Sequence, residues 1–474
     1  MKILSLRWVL AGVATVLLQA AAASAVDKPN IVFVLFDDMG WGQPQCYRAE
    51  SALRTPNLDR LAQQGMRFTD AHTASAVCTP TRYGLLTGRY PWRIGQFGVL
   101  TTFSKSIIPT TRLTVASLLK QQGYTTACIG KWHLGLKWVD GKPGSEKEVP
   151  LGARLTDGPN ALGFDYFCGF THARNIGTVI EQDRVVAHVA PVENQPFLIA
   201  KALEWIGQRK PHEPFFLYFP MCPPHEPIEP APEFIGKSGA KDLVKNHPKY
   251  GDWVYQGDHM LGQIMEALEK HGLAENTLLI ATADNGAEGR AYEPLRGSKR
   301  SIYEGGHRVP FVARWPGKVK AGSVNDDVIC LNDLMATAAG IVGAKLPGTA
   351  GEDSVSFLPA LLGTARGPVR EATVHQSMAG DLAIRQGPWK AIFNRDGQRE
   401  LFNLAVDLGE TKDVLADNPD VAKKLAALLQ SYIERGRSTP GASQPNEYNV
   451  SLDAKVQPAK RAEKKAKASV QTIP

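Results

Sequence analysis

The sequence predicts an α/β fold: a mainly parallel central sheet with helices on both faces, followed by a small C-terminal antiparallel sheet with a helix. Three observations carry this. Residues 30–36 (NIVFVLF) form a near-continuous apolar run, the pattern of a strand buried on both faces. Helix and strand signals then alternate along the chain, as repeated units that build a parallel sheet do. After about residue 366, short apolar segments joined through Gly387-Pro388 replace that alternation. A chain of 474 residues that is 43% hydrophobic and 21% charged has enough apolar surface for one large core with a smaller appendage.

Each element has a local reason. Residues 1–25 carry Lys2 and Arg7, an apolar run over 8–22 and then Ala23-Ser24-Ala25, the pattern of a cleavable signal peptide. Its apolar run is short for a membrane span, so export to the periplasm or the extracellular space, without stable membrane insertion, is expected. Residues 56–64 read as a helix, with Pro56 in its first turn and Gly65 at its end. A helix over 113–122, stopped by Gly123, leads into a strand over 124–129. A helix over 196–208 precedes a strand over 215–219, and a long helix over 253–271 precedes a strand over 277–283. The small sheet is expected at 382–384 and 389–393, and a closing helix at 415–435. The expected partition is therefore a catalytic domain over 26–365, a subdomain over 366–440 and a disordered basic tail over 441–474.

Charge is uninformative about the substrate. The formal +7 falls to +5 once Lys2 and Arg7 are removed, and the six basic residues after Ala454, set against Glu463, account for that surplus. The body is near neutral, and no nucleic-acid partner is expected. Six cysteines, at 46, 78, 128, 168, 222 and 330, have no metal-finger spacing. Cys128, inside an apolar run, reads as a buried thiol.

Polar residues fall where such a scaffold places a site. Asp37-Asp38 ends the first strand, Gly130-Lys131-Trp132-His133 follows the second, His225-Glu226 lies beyond the third and Asp284-Asn285 ends the fourth. Ligands of open parallel sheets bind at the carboxyl ends of strands, so the four clusters are expected to converge. Asp37, Asp38, Asp284 and Asn285 offer only oxygen donors, which suits a hard cation, calcium in the first instance, and disfavours zinc. Lys131, His133, His225, Arg82 and Lys299 supply positive charge to offset the carboxylates as an anionic substrate approaches.

The most specific segment is Cys78-Thr79-Pro80-Thr81-Arg82-Tyr83-Gly84-Leu85-Leu86-Thr87-Gly88-Arg89. Pro80 suits a helix first turn and Gly88 a helix stop, which puts Cys78 at a helix N-terminus, where backbone dipoles favour an anion. This segment resembles the sulfatase signature C-x-P-S/A-R followed by T-G-R, and residues 123–133 resemble the second signature of the same family. Thr81 stands where serine is commoner, and no polar residue near Ala173 matches one that some relatives use in the pocket.

The resemblance, to type I sulfatases of the alkaline phosphatase superfamily, implies an arylsulfatase-like sulfuric ester hydrolase. It implies that a maturation enzyme oxidises Cys78 to formylglycine, and that one calcium ion is held by Asp37, Asp38, Asp284, Asn285 and residue 78. Arg82 and Lys131 would position the formylglycine, and His225 and Lys299 would contact the sulfate. One hydroxyl of the hydrated aldehyde would attack sulfur with Asp284 as base while His225 protonates the leaving alcohol. The other would expel sulfate as His133 takes its proton. The expected substrate is a sulfated small molecule or glycan. A phosphonate or phosphate-ester hydrolase and an inactive binder of sulfated glycans are the rival readings. Specificity is expected in loops 96–106, 137–160, 171–183 and 286–294, with Trp92, Trp138 and Tyr292 as candidate stacking residues.

Overall fold

The computed structural model describes residues 28–240 and 249–452. The signal-peptide assignment and the basic residues after Ala454 lie outside the described residues.

The central sheet has ten strands: β1 (Asn30–Asp37), β2 (Met66–Phe68), β3 (Thr125–Lys131), β4 (Tyr166–Phe170), β5 (Thr178–Glu181), β6 (Arg184–His188), β7 (Phe215–Pro224), β8 (Thr277–Ala283), β9 (Phe311–Arg314) and β10 (Ser323–Asn325). Their order is β10-β2-β9-β8-β1-β7-β3-β4-β5-β6. The five strands β8-β1-β7-β3-β4 are mutually parallel, and antiparallel pairings flank them on both sides. All eight residues of β1 are buried. Ile31, Phe33 and Leu35 enter one apolar layer, while Val32, Val34 and Phe36 enter the other. That division follows from the two-residue period of a strand and explains why the segment reads as an unbroken apolar run.

The principal helices are α1 (Pro56–Gln64), α2 (Cys78–Thr87), α3 (Val115–Gln121), α4 (Pro191–Gly207), α5 (Tyr250–Lys270), α6 (Leu334–Val342) and α7 (Pro419–Arg435). Leu85 of α2, Leu118 of α3 and Leu334 of α6 pack on the first layer, and Leu58, Leu198 and Leu261 of α1, α4 and α5 on the second. Two helix starts lie four or five residues from the sequence reading. Helix α4 starts at Pro191, not Pro196: both prolines fit an early helical turn, and Glu193 closes the start by accepting from the Ala190 N–H at 3.2 Å. Helix α7 starts at Pro419 rather than 415, again with proline in the first turn.

The small sheet has four antiparallel strands, β11 (Thr373–Gln376), β12 (Leu382–Gln386), β13 (Trp389–Phe393) and β14 (Arg399–Asn403), two more than the sequence suggests. Leu425, Leu429 and Tyr432 of α7 cover one face. A buried charged layer joins this sheet to the main body. Lys390 pairs with Glu304 at 3.0 Å and Glu410 at 2.7 Å, and Arg385 with Asp70 at 2.6 Å. His72, His307 and His375 lie in the same layer, all buried. The His307 and His375 rings stack 3.9 Å apart at 7°, so their in-plane lone pairs cannot meet at one ion, and the trio is a packed, hydrogen-bonded layer. His72 Nε2 donates to Asp70 at 2.7 Å, and His375 Nδ1 donates to the Thr73 carbonyl at 2.9 Å.

Residues 441–452 correct the expectation of a tail that is disordered from 441 onward. Glu447 and the Pro445 carbonyl each accept from Arg89 at 2.8 Å, and Asn446 accepts from Arg93 at 3.0 Å. All six cysteines are free, and all but Cys46 are buried. No helix among the described residues is long and apolar enough to cross a membrane.

Candidate active site

The carboxyl ends of β1, β3, β7 and β8 and the N-terminus of α2 meet at one buried centre. Helix α2 begins at Cys78 with no side-chain cap from Val77, so its first backbone N–H groups remain available to a ligand. Gly88 ends it at φ 64, and an added Cβ there would lie 2.9 Å from Gly351 Cα, so glycine is required. Two threonines fix the first turn. Thr79 donates to the His133 carbonyl at 3.0 Å, and Thr81 donates to the Ser75 carbonyl at 2.8 Å. The Thr81 hydroxyl thus has a structural acceptor that the commoner serine could equally use. Gly130, just before Lys131, lies so close to β7 that a Cβ would be 2.1 Å from the Pro220 carbonyl oxygen.

Asp37, Cys78 and Asp284 present possible ligand atoms all within 4.8 Å of one another. Asp37 Oδ1 and Asn285 Oδ1 are buried with no hydrogen-bond partner. Unpartnered buried acceptors are costly, and two of them beside Asp284 fit a hard cation bound by oxygen donors. Asp38 adjoins the same group: its backbone N–H donates to Asp284 Oδ1 at 3.1 Å, and its Oδ1 accepts from Asn285 Nδ2 at 2.7 Å. Asp38 and His133 hold left-handed backbone conformations, at φ 68 and 56, which only a well-packed surrounding sustains in non-glycine residues.

Cations surround these carboxylates. Lys131 Nζ donates to Asp37 Oδ2, and Lys299 Nζ donates to Asp38 Oδ2 at 2.7 Å. Burial alone would raise both acids. Lys131, with His225 and Arg82, holds Asp37 well below the usual carboxylate range, and Lys299 with His225 lowers Asp38. Burial and the Asp37 charge push Asp284 up to about 7 despite Arg82. Burial also raises the Cys78 thiol, against the pull of Lys131 and Lys299, so unmodified Cys78 is a poor nucleophile at neutral pH.

The two histidines differ in which nitrogen faces the site. His133 Nε2 is 3.0 Å from the Leu100 carbonyl, so it carries the proton, and Nδ1 is a buried lone pair without a partner. Burial and the neighbouring Lys131 hold His133 well below the ordinary range, hence neutral. His225 donates from Nδ1 to the Glu226 carbonyl, which leaves Nε2 towards the site, 3.8 Å from Asp38. Burial lowers His225, and Asp38 acts in the opposite sense. Trp253 Nε1 fixes it by donating to its carbonyl at 2.9 Å.

Asp38, Cys78, Lys131, His133, His225 and Lys299 line one cavity of about 590 Å³. Asp37, Asp284, Asn285 and Arg82 lie fully buried behind it. All ten site residues expected from the sequence are therefore brought together. The same cavity takes Val99, Lys147, His172, Arg174 and Glu288 from the four loops expected to govern specificity. None of these was singled out individually, because loops lack periodicity. Trp92 and Trp138 are buried in the core and, with Tyr292, are not among the lining residues.

A mainly parallel sheet that gathers a helix-terminal cysteine, an oxygen donor set and paired lysines and histidines at its strand ends defines an alkaline-phosphatase-like hydrolase. Residues 29–344 match the family described as Sulfatase, and the chain belongs to that family. It is 32% identical to N-acetylgalactosamine-6-O-sulfatase of Bacteroides thetaiotaomicron, over 86% of this chain and 94% of that protein. Human arylsulfatase A is 34% identical over 81% of this chain and 78% of its own length. A solved sulfatase from work on glycosaminoglycan metabolism by Bacteroides thetaiotaomicron superimposes with a TM-score of 0.76 at 31% identity, covering 85% of this chain and 99% of the other. The phosphonate monoester hydrolase of Agrobacterium radiobacter shares the fold, with a TM-score of 0.61 at 19% identity and coverage of 85% and 95%. The protein is a sulfuric ester hydrolase.

Proposed function

We propose that the protein is an exported enzyme that hydrolyses sulfate esters of carbohydrates or small aryl alcohols through a formylglycine made from Cys78 by a maturation enzyme. The observation that carries this is the placement of Cys78 at the free N-terminus of α2, in one cavity with Lys131, His133, His225 and Lys299. The hydrated aldehyde would supply one hydroxyl to attack sulfur and a second through which sulfate is released. Asp37, Asp38, Asp284, Asn285 and residue 78 would hold one calcium ion, whose chemistry there is to draw negative charge from the nucleophile and the sulfuryl oxygens.

The side chains divide the remaining work. Lys131 and Lys299 are fixed cations that neutralise the incoming ester. Arg82 holds Asp284 and donates to the Lys131 carbonyl at 2.7 Å, which orders the floor beneath residue 78. His225 presents Nε2 towards the leaving group. A bound sulfate ester adds negative charge in the same sense as Asp38, which favours protonation of Nε2 and equips it as general acid. His133 presents its unprotonated Nδ1 and is suited to take the proton when the second hydroxyl expels sulfate.

Sulfate release from matured, calcium-loaded protein, measured over a panel of sugar sulfates, aryl sulfates and matched phosphate esters, tests the reading. Release of phosphate but not sulfate would favour the phosphonate- or phosphate-ester alternative. Binding without turnover would favour a glycan-binding role.

A further inference from the structure

The cavity over Cys78, at about 590 Å³, has room for a leaving group much larger than the sulfuryl moiety. Its described lining contains no phenylalanine, tyrosine or tryptophan, and its only aromatic rings are the polar imidazoles of His133, His172 and His225, so no broad apolar platform is offered to a sterol or an aryl ring. It does contain five lysines and arginines against three carboxylates. Three of these cations are already engaged: Lys131 with Asp37, Lys299 with Asp38 at 2.7 Å, and Arg300 with Glu288. Lys147 and Arg174 are exposed, and neither has an ion-pair or side-chain hydrogen-bond partner among the described residues.

Both are presented from backbone tied to the catalytic centre. The Arg174 N–H donates to His172 Nδ1 at 3.3 Å, and the His172 ring stacks on His133 at 5.7 Å. Next to Lys147, Glu146 accepts from the Thr102 N–H at 2.9 Å, and its carbonyl accepts from Thr102 Oγ1 at 2.7 Å. Thr102 Oγ1 also lies 3.0 Å from His172 Nε2, which joins the two loops into one wall. Two exposed cations without an ion-pair partner among the described residues, on one anchored wall of a cavity whose lysines and arginines outnumber its carboxylates five to three, call for a further negative charge from the substrate.

Resting on the sulfate-ester reading above, we infer that Lys147 and Arg174 bind a second anionic group on the leaving alcohol. The substrate class is thus a sulfated saccharide that carries another carboxylate or sulfate near the scissile ester. The two residues set specificity and take no part in bond breaking.

The test compares three esters of one sulfated sugar: a neutral form, one with a carboxylate on the adjoining unit and one with a second sulfate. Wild-type kcat/KM is expected to favour a charged ester by about 10-fold, since each exposed ion pair contributes up to about fivefold. Lys147→Gln and Arg174→Gln should each lower that preference about 3- to 5-fold, and the double variant should abolish it. Added salt should raise KM for the charged ester alone. Which charged ester gains identifies carboxylate or sulfate as the group read. Equal wild-type kcat/KM for all three esters, or a preference that survives the double variant, would overturn the inference while leaving sulfate hydrolysis intact. Equal losses on neutral and charged esters would also overturn it. No sulfate release from these or from nitrophenyl sulfate would overturn the hydrolase reading and the inference with it.

Discussion

Arg82 grips a single oxygen of Asp284, with Nη2 at 2.7 Å and Nε at 3.1 Å from Oδ2, and both side chains are wholly buried. The other carboxylate oxygen, Oδ1, is thereby left to the Asp38 N–H. Removing one member of a buried pair strands the other charge, so Arg82→Ala should destabilise the fold by about 3–5 kcal/mol, read as a fall in the urea midpoint. Arg82→Lys should not restore it, because a single ammonium cannot reproduce the guanidinium fork and the bond to the Lys131 carbonyl together. Lysine at this position with full stability and turnover would remove the orienting role from Arg82.

Maturation is readable by mass. The tryptic peptide covering residues 68–82, from protein made in a competent host, should carry an aldehyde, with sulfur lost and oxygen gained at residue 78. Cys78→Ala should fold with an unchanged unfolding midpoint and lose turnover. An intact thiol in fully active protein would rule out the modification.

Calcium should raise the unfolding midpoint. A ligand bound only to the native state adds about 2.7 kcal/mol at 100 times its dissociation constant, and it would also relieve repulsion between Asp37 and Asp284. Asp37→Ala and Asp284→Ala should abolish the calcium-dependent shift as well as activity. Full activity in chelator, from protein free of metal, would contradict the cation site.

His225 should matter in proportion to the basicity of the departing oxygen. His225→Ala is expected to reduce kcat/KM for a sugar sulfate by about 10²- to 10⁴-fold, and for nitrophenyl sulfate by clearly less, because an activated alcohol leaves without a proton. Equal losses on both would make His225 a sulfate contact instead.

Acid should weaken the joint between the two sheets. His72, His307 and His375 are all held below their ordinary value, chiefly by burial; Glu304 pulls each back up, Lys390 acts against it on His307 and His375, and Arg385 on His72. Asp70, Arg308 and Glu410 complete the charged groups of this layer. A histidine with a lowered folded pKa stabilises fully above its unfolded value, about 6.5, and that contribution is lost as pH falls below it. Each histidine contributes a slope of up to about 1.4 kcal/mol per pH unit. Unfolding midpoints measured from pH 7.5 to 5 should fall in wild type and fall less steeply in His375→Gln. Parallel slopes would show that His375 is not among the groups protonated on unfolding.

The parts of this molecule legible in the sequence are those governed by local chemistry. β1 declares itself because both of its faces are buried, and Asp37, Lys131, His225 and Asp284 announce the site because parallel strands end on one side of a sheet. The two ends of α2 are legible from Pro80 in its first turn and Gly88 at its stop. The start of helix α4 lies five residues before the position the sequence suggests because Pro191 and Pro196 are equally acceptable near a helix start. β11 and β14 carry no clear strand signal because His375, Gln376, Arg399 and Glu400 interrupt their apolar alternation. Lys147, Arg174 and the pairing of Lys390 with Glu304 depend on loops and long-range contacts, for which a single sequence carries no periodic signal.

The ion pairs from Lys390 to Glu304 and Glu410 bear on how such a protein can be recombined. Glu304 follows Lys299 by five residues, on the segment that closes one side of the cavity, while Lys390 belongs to the small sheet. Grafting the small sheet of one relative onto the catalytic body of another would leave an uncompensated charge inside the joint unless Glu304, Lys390 and Glu410 travel as a set. Chimaeras cut between 365 and 366 should therefore express as insoluble chains when the set is broken, and as working enzymes when it is kept.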